Sequence, residues 1–421
     1  MKVSESLYIK NFYTIDEFDW KIRDFNILTG GMGSGKSICV KLLWFLEHIL
    51  HALIFYPSIA KDDFNNAVFF DRIADEFKEI FHTKDFDFKT TEIKYRYSCN
   101  GGVFDLQASW NEDKQRLAWS SKYLDDHLGQ WQDFFGNKKT SLDTGLIVRN
   151  QIYKSVSKEF KDTFPVGTMF IPATRAIAAI TDNTDFLDPF IVRFIKTCKS
   201  LVRFEEELSD NEINKIMHIK KIKYDEKQGL IITLPNENHI SPSCLSSGQQ
   251  ELLFLLLYFG YIKRYSPYTF STSTSIFIEE PEAHLFPEGQ KEVIEYIVKS
   301  FRLFNDEGNK GGRNRPTRFF ITTHSPYVLN VVSTMMNRGK LKMQLNEAGM
   351  KHGDSASSPY YFNKGEISAY SIDKDKKVRP MVSGEETYIN GEKINDISQD
   401  IFDEANSIDD ELANIMARNT K

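Results

Sequence analysis

Two short runs of apolar residues open the chain. Leu7-Tyr8-Ile9-Lys10-Asn11-Phe12 alternates in the manner of a half-buried strand, and Phe25-Asn26-Ile27-Leu28-Thr29 is mainly apolar, so both predict strands, the second ending at Gly30. From Lys36 to Phe55 a mostly apolar stretch with Val40, Leu43, Trp44 and Ile54 has helical length and stops before Pro57. The local order is strand, glycine loop, helix. Residues 91–110 hold two alternating runs around Asn100-Gly101-Gly102, which predicts a hairpin in an antiparallel lobe beside the glycine loop.

Residues 176–240 are richer in charge and helix formers and alternate again in KKIKYDEKQGLIITLP, which marks an insertion or arm too short for a long coiled coil. The stretch ELLFLLLYFGYI from Glu251 is strongly apolar. From Ser275 the run SIFIEE predicts a fully buried strand, followed by a helix to about Phe301, a loop NDEGNKGGRNRPTR and a second buried strand RFFITTH. Strands and helices that alternate in this way argue for an α/β layered core. Beyond about residue 350 the pattern weakens into short strands and an acidic helical end, IFDEANSIDDELANIMARN. The expected division is a first lobe over 1–175, the insertion over 176–240, a second lobe over 241–350 and a C-terminal extension over 351–421.

Composition narrows the class. The 421 residues are 41% hydrophobic and 27% charged, which fits neither a fibrous nor a disordered chain. Lys+Arg 53 against Asp+Glu 59 leaves −6, the wrong sign for coating nucleic acid through bulk charge. No apolar run reaches the roughly 18–20 residues of a membrane helix, and MKVSESLYIKNF lacks a signal-peptide layout, so a soluble cytoplasmic protein is expected. Cys39, Cys99, Cys198 and Cys244 stand far apart and read as core filler.

Four segments carry candidate chemistry. Gly30-Gly31-Met32-Gly33-Ser34-Gly35-Lys36-Ser37 matches G-x-x-x-x-G-K-[ST] between a predicted strand and a predicted helix. Such a loop turns backbone N–H groups around phosphate oxygens, with Lys36 on the β/γ-phosphates and the Ser37 hydroxyl on magnesium. Glu279 and Glu280 follow an apolar strand whose tip falls at the carboxyl edge of the sheet. One carboxylate there can hold a magnesium shell while the next deprotonates attacking water; a solvated strand end is the alternative. Ser246-Ser247-Gly248-Gln249 opens a helix, either as an anion-binding turn or as a plain cap. His324 ends the RFFITTH strand and either senses a γ-phosphate or caps the strand.

The order of these landmarks resembles that in ABC-type ATPase heads: Walker A, signature, Walker B with D-loop, and switch histidine. The RecF, SMC and OLD branch is the closest in its motifs. Glu280-Pro281-Glu282-Ala283-His284-Leu285-Phe286-Pro287 resembles that branch's D-loop, and Phe170-Ile171-Pro172-Ala173-Thr174-Arg175 resembles a strand frequent in its members. The fold this implies is a P-loop α/β head with an antiparallel β lobe, a mixed or parallel core sheet flanked by helices, and a helical insertion.

The resemblance also implies a composite site for ATP and Mg2+. The Walker motifs of one subunit hold the nucleotide, with Gly30, Gly31, Gly33, Ser34, Gly35 and Lys36 around its phosphates. The turn Ser246, Ser247, Gly248 and Gln249 of a second copy closes over it. Ser37 and Glu279 hold magnesium, Glu280 is the base and His324 the switch. The signature reads Ser-Ser-Gly for Ser-Gly-Gly, Gln151 is a candidate Q-loop residue, and Glu279 stands where aspartate is usual, its longer side chain shifting the metal or leaving it water-bridged, so slow turnover is expected. Only about 90 residues follow His324, and Ser383-Gly384-Glu385-Glu386 lacks a following Asp-x-Asp strand, so no Toprim nuclease is expected in this chain. A bare head of this kind resembles the ATPase components of anti-phage defence systems such as Septu and PARIS, an ATP switch for a separate effector, expected to be a nuclease, with DNA or a phage protein as trigger. A RecF-like repair ATPase touching phosphates through Lys215–Lys223 and Arg313–Arg318 is the second reading, and an ATP-stabilised scaffold without turnover is the third.

Overall fold

The computed structural model describes residues 3–55, 66–81, 86–127, 142–161, 163–180, 187–202, 210–269, 273–307, 316–349, 358–373 and 375–382. The N-terminal part runs β1 (Val3–Phe12), β2 (Ile15–Ile22), β3 (Phe25–Gly30), α1 (Lys36–Phe55), α2 (Asn66–Ile80), β4 (Glu92–Cys99), β5 (Gly102–Asn111), β6 (Arg116–Ser120), α3 (Leu142–Phe160) and β7 (Pro165–Ile171). Then come α4 (Ile177–Ile180), α5 (Pro189–Val202), α6 (Asn211–Ile216), β8 (Lys221–Asp225), β9 (Gly229–Thr233) and β10 (His239–Ile240). The remainder is α7 (Ser247–Thr269), β11 (Ser273–Glu279), α8 (Pro287–Arg302), β12 (Thr317–Thr323), α9 (Pro326–Glu347), β13 (Ile367–Ile372) and β14 (Val378–Pro380).

The core sheet has the order β14-β13-β3-β12-β11-β7, with every pair parallel except β13 with β14. Both faces are covered, which is why its strands read as continuous apolar runs rather than alternating ones. Along β12, Phe320 packs into one core with Phe277, Phe170 and Leu28, while Phe319 and Ile321 pack into the other with Ile276, Ile278 and Ile27. Phe277 stacks on Phe320 at 4.5 Å between centroids. The first core is closed by α1 and the antiparallel sheet β2-β1-β4-β5-β6, the second by α7, α8 and α9. The result is an α/β molecule with an antiparallel lobe and a helix-flanked, mainly parallel sheet. Its strands come from the first, second-lobe and C-terminal segments alike: β13, from beyond residue 350, lies directly beside β3 with Ile372 opposite Gly30.

The predicted hairpin turns at Asn100 and Gly101, whose φ angles of 50° and 98° are the left-handed pair a two-residue turn needs. The insertion supplies α4, α5, α6 and the small sheet β10-β9-β8. One strand, β2, was not legible in the apolar pattern, because acidic and basic residues fill its outer face while Ile15, Phe18, Trp20 and Ile22 point inward.

Three expectations are corrected. Cys244 is exposed, unlike the buried Cys39, Cys99 and Cys198, because it sits on the turn before α7 and not in either core. Gln151 lies solvent-exposed on α3, a helix and not a loop off the phosphate site. Arg318 is buried and ion-paired with Glu5 of β1, whose carboxylate also accepts from the Tyr95 hydroxyl at 2.6 Å, so it ties the lobe to the core sheet and is not offered to nucleic acid. Arg313, residues 383–386 and the acidic end lie outside the described residues.

Candidate functional site

The carboxyl ends of β3, β11 and β12 meet at one edge of the core sheet, and the candidate residues converge there. Gly35 has φ of 100°, and a Cβ on it would stand 2.5 Å from Thr14 Oγ1. Only glycine lets the loop turn here against the β1–β2 turn of the lobe. Lys36 is buried, its Nζ donating to Gly30 O and Gly31 O at 2.9 Å each and to Ser34 Oγ at 3.4 Å. Burial pulls its pKa down, against the opposing pull of Glu280, Glu282 and Glu279. Ser37 follows in the first turn of α1, half-buried.

β11 delivers the acid pair. Glu279 is buried, with Oε2 accepting from Ala173 N at 3.2 Å. Glu280 breaks the strand with φ of 44°, left-handed backbone that costs a non-glycine residue about 1–3 kcal/mol. Its N–H still donates to Thr322 O at 2.9 Å, and the turned backbone sends its carboxylate to His324, Oε1 lying 2.5 Å from Nε2.

His324 therefore bridges the two motifs. Its Nδ1 stands 3.3 Å from Lys36 Nζ and 3.0 Å from Gly30 O. The ammonium has only donors and the Glu280 carboxylate only acceptors. Nε2, which faces the carboxylate, therefore donates to Glu280, while Nδ1 stands between a donor, Lys36 Nζ, and an acceptor, Gly30 O. His324 is held in turn by its backbone N–H, which donates to Glu282 Oε1 at 3.0 Å, and the neighbouring Thr323 hydroxyl donates to the same oxygen at 2.5 Å. Ser325 then caps α9, accepting from Tyr327 N and Val328 N.

The 246–249 turn is held by its own hydrogen bonds. Ser246 and Gln249 bond each other reciprocally: Ser246 N and Oγ donate to Gln249 Oε1 at 3.1 and 3.0 Å, and Gln249 N donates back to Ser246 Oγ at 3.4 Å. This is a capping box at the start of α7, and Gln249 Nε2 goes on to Met217 O at 2.7 Å. Ser247 is exposed, while Gly248 presses on the segment after β11, where a Cβ would come 2.9 Å from His284 O. The structure thus gathers the phosphate loop, Glu279, Glu280 and His324 in one place. It sets Ser246 and Gln249 to capping and leaves Ser247 on the surface.

A divalent cation fits this donor set. Glu279 Oε1, Glu282 Oε2 and Thr322 Oγ1 are buried with no hydrogen-bond partner among the described residues, and a buried carboxylate oxygen left in this way can take a cation or a water. Among the described residues no cluster of three His, Cys, Asp or Glu side chains could hold a metal alone. Magnesium in nucleotide sites takes few protein ligands and fills its shell with water and phosphate oxygens, so two protein groups such as Ser37 and Glu279 would be enough to hold it.

Sequence reasoning missed the part played by Glu282 and by Arg175, a fully buried arginine that bonds backbone carbonyls on several sides. The signal for Glu282 was a third carboxylate two residues past Glu280. For Arg175 it was a charge four residues past the apolar strand end Phe170-Ile171.

Residues 193–329 match the family model described as the AAA ATPase domain. The match takes in α5 to the start of α9, with Ser247, Glu279, Glu280 and His324, covers less than half of the chain and leaves out the phosphate loop. No curated protein matches the sequence. Among solved structures, the chain is similar to an Smc head bound to the C-terminal winged-helix domain of ScpA, at 14% identity and TM-score 0.42 over 91% of this chain and 98% of that one. It is similar also to the SMC head domain from Thermotoga maritima, at 14% and 0.36 over 79% and 92%. A third is the Smc head with an extended coiled coil bound to the C-terminal domain of ScpA, derived from Pyrococcus furiosus, at 12% and 0.41 over 95% and 100%. At these scores the likeness carries no functional weight, and the architecture rests on the strand order and the site on its distances. No helix among the described residues is long and apolar enough to cross a membrane.

Proposed function

We propose that this chain is a slow, magnesium-dependent ATPase whose complete site forms between two copies. The observation that carries the reading is His324, which joins Lys36 of the phosphate loop to Glu280 of the acid pair through contacts of 3.3 and 2.5 Å. A loop that binds phosphate and a carboxylate that activates water are useful together only on a nucleoside triphosphate. Lys36, which satisfies itself on Gly30 O and Gly31 O, exchanges those carbonyls for phosphate oxygens. Ser37 and Glu279 would hold magnesium, which would supply positive charge against the phosphates. Glu280 accepts the proton of the attacking water, and His324 donates from Nε2 to hold Glu280 until the nucleotide is bound.

Support for a second copy comes from the surface around the loop. Met32 in the phosphate loop is 95% exposed and Phe286, between β11 and α8, is 88% exposed, large side chains that a second copy closing on the loop would cover. Ser247, exposed at the start of α7, is the residue this reading seats on a partner's nucleotide.

On this reading ATP-dependent association controls a separate effector protein, a nuclease, in anti-phage defence, with a DNA or phage-protein trigger, in the cytoplasm. The support is the resemblance of the motif order to such heads. The repair reading loses Arg318, which is buried and paired with Glu5, and keeps Lys215–Lys223. Hydrolysis of ATP by the purified chain, rising with protein concentration as a two-copy site requires, tests the proposal. A rate per chain that is constant across concentrations spanning the association would overturn the composite site, and no hydrolysis with magnesium present would overturn the ATPase.

A further inference from the structure

Arg175 lies four residues past the end of β7 with no exposed surface, yet its guanidinium spends its donors on backbone carbonyls from three segments. Nε donates to Glu251 O at 2.8 Å, in the second turn of α7. Nη1 donates to Glu279 O at 2.8 Å and to Pro172 O at 3.2 Å. Nη2 donates to Glu280 O at 3.1 Å and to Pro281 O at 3.4 Å. The counter-charge is the Glu251 carboxylate, also buried, 3.4 Å from Nε.

Burying a guanidinium is a poor way to gain stability, because desolvation offsets most of the Coulomb attraction and an apolar plug serves as well. What a guanidinium does and an apolar side chain cannot is fix several carbonyls at set angles. Two of those fixed here matter to the reaction. The Glu280 carbonyl belongs to the left-handed residue whose carboxylate meets His324, so Arg175 holds that conformation from behind. The Glu251 carbonyl lies four residues past Ser247, on the helix whose first turn presses Gly248 against His284. His284 Nδ1 also stands 3.7 Å from the Glu251 carboxylate.

We propose that Arg175, paired with Glu251, is a positioning residue that couples the Ser247–Gly248 turn to Glu280, so that seating this turn on a partner's nucleotide sets the aim of the base in the chain's own site. The inference rests on the composite-site reading and assigns its regulation: hydrolysis at one nucleotide responds to occupancy of the other.

Glu251→Gln preserves size and an acceptor oxygen but removes the charge that anchors the guanidinium, and Arg175→Lys keeps charge but loses the planar fork. Both are compared with wild type for nucleotide affinity, kcat, the Hill coefficient of hydrolysis and thermal unfolding. The expected result is affinity within about threefold of wild type, kcat down at least about tenfold and a Hill coefficient falling from above 1 to 1. If Arg175→Lys does not fold, Glu251→Gln decides. Equal loss of affinity and kcat, or a Hill coefficient unchanged from wild type, overturns the coupling. Failure of the wild type to hydrolyse ATP in a concentration-dependent way is a separate result, which removes the composite-site reading itself.

Discussion

Glu280 is the residue on which the chemistry turns. Its φ of 44° is strained backbone held by Thr322 O on one side and Arg175 on the other, and the strain aims a carboxylate at His324. Replacement by glutamine removes a proton acceptor and keeps the shape, so Glu280→Gln is expected to bind ATP normally and lose about 10²- to 10⁴-fold in kcat. Single-turnover measurement on the variant checks this, and a wild-type rate would move the base to another residue. Lys36→Ala takes away the ammonium that rests on Gly30 O and Gly31 O, and nucleotide affinity is expected to fall at least about tenfold. Fluorescent-nucleotide titration reads it, and unchanged affinity would contradict the loop assignment. At this scale the sequence was informative where chemistry and spacing coincide, as in Gly30 to Ser37. It said little of Arg175, four of whose five carbonyl partners lie more than 70 residues away in the chain and leave no pattern in side-chain types.

At the level of elements, apolar run length placed α1 from Lys36 to Phe55 and the strands β11 and β12, because a doubly covered sheet imposes uninterrupted burial. β2 escaped, since its inner face of Ile15, Phe18, Trp20 and Ile22 is interleaved with Asp16, Glu17, Asp19 and Lys21. Among the described residues a buried charge pair, Arg318 of β12 with Glu5 of β1, ties the two sheets. Removing the acid strands a buried cation, so Glu5→Gln is expected to cost about 3–5 kcal/mol. Urea unfolding monitored by tryptophan fluorescence measures it, and a loss below about 1 kcal/mol would mean that water reaches Arg318.

For the whole molecule, the core sheet is assembled from distant parts of the chain, and its edge gathers the phosphate loop, the acid pair and His324. β13 lies between β14 and β3, so a chain ended at residue 350 would leave β3, which carries the loop, unpaired on one side. Such a truncation is expected to be insoluble or to bind no nucleotide, and a soluble, nucleotide-binding fragment would show that β13 is dispensable. Sequence weakening after residue 350 hid this, because a six-residue strand with Ser368 and Ser371 carries little hydrophobic signal. The central claim, that two copies enclose the nucleotide, is tested most directly by light-scattering mass of Glu280→Gln with and without magnesium and ATP. The account predicts a mass that doubles with nucleotide and stays single when Ser247→Arg is added to the same chain. A single mass at saturating ATP, or doubling that survives Ser247→Arg, would contradict it.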